Sequence, residues 1–568
     1  MFSSVCRLAL GLLTASLSAC AGQPPSTRPP NVILVVTDDQ GWSQVGTHGN
    51  SVLKTPHLDR LALESAEFTR FYVSPVCSPT RASLMTGRYN YRTGVVDTYL
   101  GRSMMYADEV TVAEVLRAAQ YRTGIFGKWH LGDHYPMRPS DQGFEESLVH
   151  KGGGIGQPSD PSGTSYFDPI LQHNDRSQRF PGYCTDIFFQ TAIKFIEKHR
   201  DHPFFVYLAT NAPHAPYDVP ESYIKPYRDQ GLDEKDARIY GMIANIDENI
   251  GRLMAALDGW KLAEDTLLIF MSDNGPTTQH FTAGLRSQKT SVYEGGIRVP
   301  FFLRWPRKVK PSQIDRIAAH IDMAPTILEA AAVQKPKAVV FDGSSLVPIL
   351  TGNSKNWPDR TLYLQSHRGN EPQLYRNFAA VTQRFKLVQP ESFGNSLPTD
   401  PVFELYDVAE DPGEQANLAT VFPHVVRSMK QGYEEWFRDV SSSRGYEPPR
   451  IPLGAAQENP VILTRQDWRV TRAPGSGWSD DDLGVWLVEV ANSGSYEIGC
   501  RFAPQAQECR VELRVAELVL RQPLPQNSDS ANFSDVRLPQ GTTQLEVRIL
   551  RNGNPTGPRY VEISGPNR

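Results

Sequence analysis

Apolar runs alternating with amphipathic stretches organise the first 350 residues of the chain. Val32-Ile33-Leu34-Val35-Val36 is continuously apolar, the pattern of a strand buried on both faces of a parallel sheet. Residues 121–126, 204–208 and 266–271 repeat it, and each of the four runs ends in polar groups: Asp38-Asp39, Gly127-Lys128-Trp129-His130, Asn211-Ala212-Pro213-His214 and Asp273-Asn274-Gly275. Open α/β sheets bind ligands at the carboxyl ends of their strands, so four such tips can converge on one crevice. Between the runs, Thr111-Val112-Ala113-Glu114 reads as a capping box ahead of an apolar stripe, and Met242, Ile246 and Leu253 mark a second helix. Strand and helix in alternation predict an α/β domain over residues 31–350, a mostly parallel sheet with helices on both faces.

After residue 350 the pattern changes. Short strands at 385–388 and 404–407, the turn Asp411-Pro412-Gly413-Glu414 and a helix at 421–437 describe a small α+β subdomain over 351–447. Pro448-Pro449-Arg450-Ile451-Pro452 opens an expected linker, 448–460. Beyond it Val511, Leu513 and Val515, and then Leu545, Val547 and Ile549, alternate with polar residues, so residues 461–568 read as an all-β sandwich. Its Trp468, Trp478 and Trp486 have two uses open to them, stacking on sugar rings or packing the sandwich core, and core packing is the more ordinary.

At 568 residues the chain is too long for one core, and its net charge of −5 argues against a nucleic-acid binder. Arg7 precedes an apolar run, residues 8–17, too short to span a bilayer and suited to an export signal. Leu17-Ser18-Ala19-Cys20 resembles a bacterial lipobox, implying a signal peptide over 1–20, a lipid on Cys20, a tether over 21–30 and a place in the periplasm or on the cell surface. Cys500 and Cys509 could close a short disulfide, worth roughly 2–3 kcal/mol by loop entropy, which leaves Cys184 as a buried thiol.

Cys77-Ser78-Pro79-Thr80-Arg81 carries the distinctive chemistry. Ser78-Pro79 is a helix-start signal, which places Cys77 just ahead of a helix N-terminus with Arg81 one turn on, a setting that favours an anion. By itself such a cysteine is more often a small buried hydrophobe. Together with Ala82-Ser83-Leu84-Met85-Thr86-Gly87 it resembles the signature of type I sulfatases, in which the cysteine is oxidised to formylglycine and the hydrated aldehyde is the nucleophile. The resemblance spans most of residues 31–440 and implies the alkaline-phosphatase-like sulfatase fold with its small C-terminal subdomain. It also implies one calcium ion held by Asp38, Asp39, Asp273, Asn274 and the modified Cys77; an all-oxygen donor set independently favours a hard cation. Lys289, in Gln288-Lys289-Thr290-Ser291-Val292-Tyr293-Glu294-Gly295-Gly296, resembles the sulfatase lysine motif, with Gln288 a departure from the usual glycine.

The roles that follow are Arg81 and Lys128 holding the hydrate and the sulfate oxygens, His214 with Lys289 protonating the leaving oxygen, and His130 assisting release of sulfate. The implied partners are a sulfated carbohydrate and the enzyme that generates formylglycine. The stretch from Gly127 to Gly143 and on to His150-Lys151-Gly152-Gly153-Gly154 resembles bacterial sulfatases of galactose-type polysaccharides, with a 4-sulfate as the expected target. Arg92, Asp97, Arg102, His150 and His173 are candidates for the sugar subsite. Two rivals remain: a phosphate or phosphonate monoester hydrolase on the same fold, and a surface glycan-binding lipoprotein that has lost activity.

Overall fold

The computed structural model describes residues 28–566 except 354–356, 358, 395, 397–398 and 552–553. The expected signal peptide, the lipid site at Cys20 and most of the tether lie outside the described residues.

Among those residues a ten-stranded mixed sheet forms the centre of the α/β domain. Its four middle strands are the four apolar runs, in the spatial order Thr266–Ser272, Asn31–Thr37, Phe204–Ala209 and Arg122–Lys128, and all are parallel. Their carboxyl ends therefore open on one edge, as the sequence pattern requires. The runs are apolar throughout because both faces are covered. Val32, Leu34 and Val36 enter one core with Phe205, Tyr207 and Ile269. Ile33 and Val35 enter the opposite core with Val206, Leu208 and Phe270. The Cys77–Thr86, Val112–Ala118 and Met323–Ala330 helices pack on the first face, and Cys184–His199 and Glu234–Gly259 on the second. The capping box at Thr111 is present, and Cys184 is buried and free.

The subdomain is a four-stranded antiparallel sheet, Leu362–Gln365, Phe378–Val381, Phe385–Gln389 and Glu404–Asp407, against the Pro423–Ser442 helix. The C-terminal region is an all-β sandwich of a six-stranded and a four-stranded sheet. Two expectations about it are corrected. The stretch read as a linker contains the strand Ile451–Leu453, which pairs with Leu483–Val490 inside the sandwich. Cys500 and Cys509 are free and buried, on strands of opposite sheets. Trp468 and Trp486 are fully buried against each other, ring centroids 5.6 Å apart, so core packing is their use. The sandwich core also takes in Leu100, Met104 and Met137 of the α/β domain, so it is seated on that domain by apolar contact.

Candidate active site

The helix bearing Cys77 begins two residues earlier than the Ser-Pro signal suggests. Cys77 is its first residue, Val76 stands at the cap and no side chain caps it. Ser78 turns its hydroxyl elsewhere, donating to the carbonyl of His130 at 2.9 Å. The first amides of this helix therefore keep no side-chain acceptor. Cys77 is 2% exposed, and burial pushes its thiol pKa up against the pull of Lys128 and Lys289, so as a thiol it is a poor nucleophile.

Around Cys77 the strand ends deliver three carboxylates and Lys128, the Cys77 helix adds Arg81 and a loop adds Lys289, all buried or nearly so. Lys128 Nζ donates to Asp38 Oδ2 at 2.6 Å, and Lys289 Nζ to Asp39 Oδ1 at 2.6 Å. Arg81 closes a fork on Asp273 Oδ2, Nε at 3.0 Å and Nη2 at 2.7 Å, and donates its other nitrogen to the Lys128 carbonyl. Asn274 Nδ2 donates to Asp39 Oδ1 at 2.7 Å. The cation pairings use one oxygen of each carboxylate. Asp38 Oδ1, Asp39 Oδ2 and Asn274 Oδ1 are buried without a partner, and Asp273 Oδ1 accepts only the Asp39 amide at 3.2 Å. Ligand atoms of Asp38, Cys77 and Asp273 lie within 4.8 Å of one another. Three orphaned oxygens, with Asp273 Oδ1 beside them held by a single amide, fit a hard divalent cation. Three cations already balance the three carboxylates, so such an ion would leave the pocket with surplus positive charge, suited to an anionic ester.

The same burial sets the protonation states. Burial, then the Asp273 charge, push Asp38 up to about 8 despite Lys128. Burial opposes the charge of Asp39 as well, yet Lys289, His214 and two hydrogen bonds outweigh it and hold Asp39 below the carboxylate range. Lys289 and Arg81 are each held charged by their carboxylates against burial.

Both expected histidines are at the site and both are neutral. Burial and then Lys289 push His214 down to about 4, and burial and then Lys128 push His130 well below its ordinary value. His214 keeps 16% side-chain exposure and Lys289 15%, which makes them the wet edge of the pocket and tempers both shifts. Carbonyls only accept, so their hydrogen bonds assign the tautomers. His214 Nδ1–H donates to the Ala215 carbonyl at 2.7 Å, leaving Nε2 bare at 3.9 Å from Asp39 Oδ2. His130 Nε2–H donates to the Thr98 carbonyl at 2.6 Å, leaving Nδ1 bare and buried. His130 and Asp39 hold left-handed backbone, φ 61° and 69°, strain of the kind found where a side chain is aimed for function. Gly127 is the hinge: its φ is 125°, and a Cβ there would stand 1.8 Å from the Ala209 carbonyl oxygen. Despite Gln288, the lysine loop is held, the Lys289 and Thr290 amides donating to Pro276 and Pro75.

Of the sugar-subsite candidates, Asp97 pairs with Arg102 and Arg368 beside Thr98, next to His130. His150 is 1% exposed with neither ring nitrogen partnered, and Asp160 is 3.9 Å away. Arg92 instead ties Asp342 to Asp439, and His173 lies on the strand next to the sheet's edge strand, against Phe180. Several contributors carry no motif. Gln466 of the sandwich donates to the Thr98 carbonyl at 3.2 Å, the same oxygen that orients His130. A Cβ on Gly153 would stand 2.9 Å from the His130 ring, and one on Gly154 2.9 Å from His214, so these glycines seat the two rings.

The family model described as Sulfatase matches residues 30–333, more than half of the chain. The chain belongs to the sulfatase family. A second model, N-sulphoglucosamine sulphohydrolase C-terminal, matches residues 286–436 of the sulfatase. Over 471 residues it is 31% identical to arylsulfatase A of Homo sapiens, covering 74% of this chain and 90% of that protein. It is 28% identical to an N-acetylgalactosamine-6-O-sulfatase of Bacteroides thetaiotaomicron, over 72% of this chain and 93% of that one. Among solved structures, Ps i-CgsB in complex with k-i-k-neocarrahexaose superposes with a TM-score of 0.66 at 27% identity, over 74% of this chain and 95% of that one. The sulfatase also shares its fold with the phosphonate monoester hydrolase of Agrobacterium radiobacter, TM-score 0.52 at 22% identity, a likeness of fold alone. As a family member it is a sulfuric ester hydrolase.

Proposed function

We propose that this sulfatase removes sulfate from sulfated carbohydrates, of galactose type bearing a 4-O-sulfate, with formylglycine derived from Cys77 and one calcium ion. The observation that carries the reading is the set of unpartnered buried oxygens on Asp38, Asp39 and Asn274, beside a carboxylate trio in which each member is paired with a cation and of which Asp38 and Asp273 group with Cys77. Asp38, Asp39, Asp273 and Asn274 would hold the ion with residue 77; together, the ion and the hydrated aldehyde supply an oxygen nucleophile for sulfur. Lys128 and Lys289 face the sulfate oxygens, where charge grows as the S–O bond breaks. His214 enters neutral; the charge of a bound ester favours its imidazolium, so Nε2 can carry the proton that the leaving sugar oxygen needs. His130 Nδ1 is the base for the remaining hydroxyl proton of residue 77, and sulfate leaves as the aldehyde re-forms.

Two relatives support a carbohydrate substrate, one named for N-acetylgalactosamine 6-sulfate and one solved with a neocarrahexaose. The sequence supports export, a lipid on Cys20 and maturation by a formylglycine-generating enzyme. The test is turnover of aryl sulfate against aryl phosphate, then of a panel of sulfated galactose oligosaccharides, by wild type and Cys77→Ala. Loss of all turnover in Cys77→Ala with an unchanged fold is expected. Phosphate preferred over sulfate, or an active Cys77→Ala enzyme, would sink the reading.

A further inference from the structure

A cleft of about 1390 Å³ runs between the catalytic domain and the sandwich. It exceeds the roughly 300–1,000 Å³ of pockets that take one small molecule. Gln157, Ser159 and Arg176 stand on the catalytic wall, and Trp478, Arg501 and Tyr560 on the sandwich wall. No proposed catalytic residue lines it, but Trp129, next to His130 in sequence, and Gln157 do. The Gln157 amide comes within 3.0 Å of where a Cβ would project from Gly153 and Gly154, the residues that seat His130 and His214. Trp478 meets the Tyr99 ring edge-on at 5.2 Å, one residue from the Thr98 carbonyl that orients His130.

The lining has the chemistry of a sulfated sugar chain. Half-buried Trp478 and Tyr560 offer ring faces to pyranoses. Ser159 is 5% exposed and its hydroxyl has no partner; the Gln157 carbonyl oxygen has none either. Such buried, unmade hydrogen bonds mark where sugar hydroxyls would bind. Lys151, Arg176 and Arg501 have no ion-pair partner among the described residues. The acids beside them are largely committed: Asp480 to Arg465 and Arg559, Glu458 to His134, and Asp160 to the amides of Lys151 and Gly156. Asp175 is held by Ser140 and Arg138, and the exceptions are exposed Asp529 and Glu562 and buried Asp133, whose Oδ2 has no partner. Free cations for sulfates, amide and carboxylate acceptors for hydroxyls, and aromatic rings therefore line the two walls of one cleft.

We propose that this cleft binds the further residues of a sulfated oligosaccharide whose reacting sulfate occupies the catalytic pocket, and that the sandwich is a structural wall of the substrate site. The proposal rests on the carbohydrate sulfatase reading, so binding and turnover are measured separately. The full-length Cys77→Ala protein is titrated calorimetrically with sulfated galactan disaccharide and hexasaccharide and with the desulfated hexasaccharide. The sulfated hexasaccharide should bind about tenfold or more tightly than the disaccharide. The combined Arg176→Ala and Arg501→Ala variant, altered only at exposed positions, should lose that gain while its wild-type-Cys77 counterpart keeps normal aryl sulfate turnover. Trp478→Ala should lose it too, with its melting temperature recorded to confirm folding. Equal affinity for long and short sulfated chains, no binding of either, or a gain untouched by all these changes overturns the cleft. Absence of sulfate ester turnover in the wild type would instead overturn the function, and hexasaccharide binding to Cys77→Ala would still judge the cleft.

Discussion

Gly154 offers the sharpest test of how the proposed acid is held. An alanine Cβ there would sit 2.9 Å from both Cε1 and Nδ1 of His214 and 3.0 Å from Gln157 Nε2. Real Cβ atoms essentially never come within 3.0 Å of a neighbour, so the imidazole must retreat by about half to one ångström to restore ordinary contact. That movement strips the 2.7 Å Nδ1–H bond to the Ala215 carbonyl, at about 1 kcal/mol. It also carries Nε2 off the leaving oxygen, and an error of about 1 Å in a reacting group costs on the order of 10²-fold. The backbone of Gly154 is not left-handed, so alanine fits it without strain and the fold should stand. Steady-state kinetics on a chromogenic aryl sulfate should show kcat down about 10- to 100-fold with a nearly unchanged melting temperature. Gly259→Ala, at a helix end with nothing within 4 Å, is the control and should be neutral. A Gly154→Ala enzyme within about twofold of wild-type kcat would refute the claim that close backbone approach seats His214.

Further outcomes follow from the same charges. Lys128→Met leaves Asp38 buried beside Asp273 and Asp39 without its ammonium donor; as burial already favours its protonated form, denaturant titration should show the loss of about 1–3 kcal/mol of an unpartnered buried polar group, and full stability without calcium would contradict the buried pairing. Metal depletion should lower the melting temperature and calcium should restore it more than magnesium does, since the donor set is carboxylate-rich; indifference to both ions would remove the metal from the site. His134 of the catalytic domain lies between Glu458 and Asp467 of the sandwich, 3.2 and 3.3 Å away. Burial opposes its charge but those carboxylates push it up to about 9. Its stabilisation is then complete below about pH 6.5 and lost as pH rises through about 9, a ceiling of about 3 kcal/mol. His134→Gln should flatten the melting temperature over that window, and curves parallel to wild type would show that the cluster does not couple to pH.

The central strands, the four polar tips, the Cys77 motif and Lys289 were legible because each rests on local chemistry: uninterrupted apolar runs, adjacent carboxylates, a short spaced pattern. The misreadings share a cause as well. Ser78 carries the side chain of a cap, but its hydroxyl is drawn to the His130 carbonyl, 52 residues away, and the helix starts at Cys77 instead. Cys500 and Cys509 are near in sequence, yet a sandwich sends them to opposite sheets. The proline-rich stretch at 448–452 looks like a tether, and only pairing with Leu483–Val490 makes part of it a strand.

By itself the sequence determined the elements, the side chains that can do the chemistry and the sulfatase family, because those depend on residue type and on neighbours a few positions away. Only the tertiary structure decided which oxygen of each carboxylate is paired and which is free, and which nitrogen of each histidine is bare. It also decided that Gly153, Gly154 and Gln466 serve the site. Those properties depend on contacts between segments up to hundreds of residues apart, and on burial, which no local pattern of residues encodes.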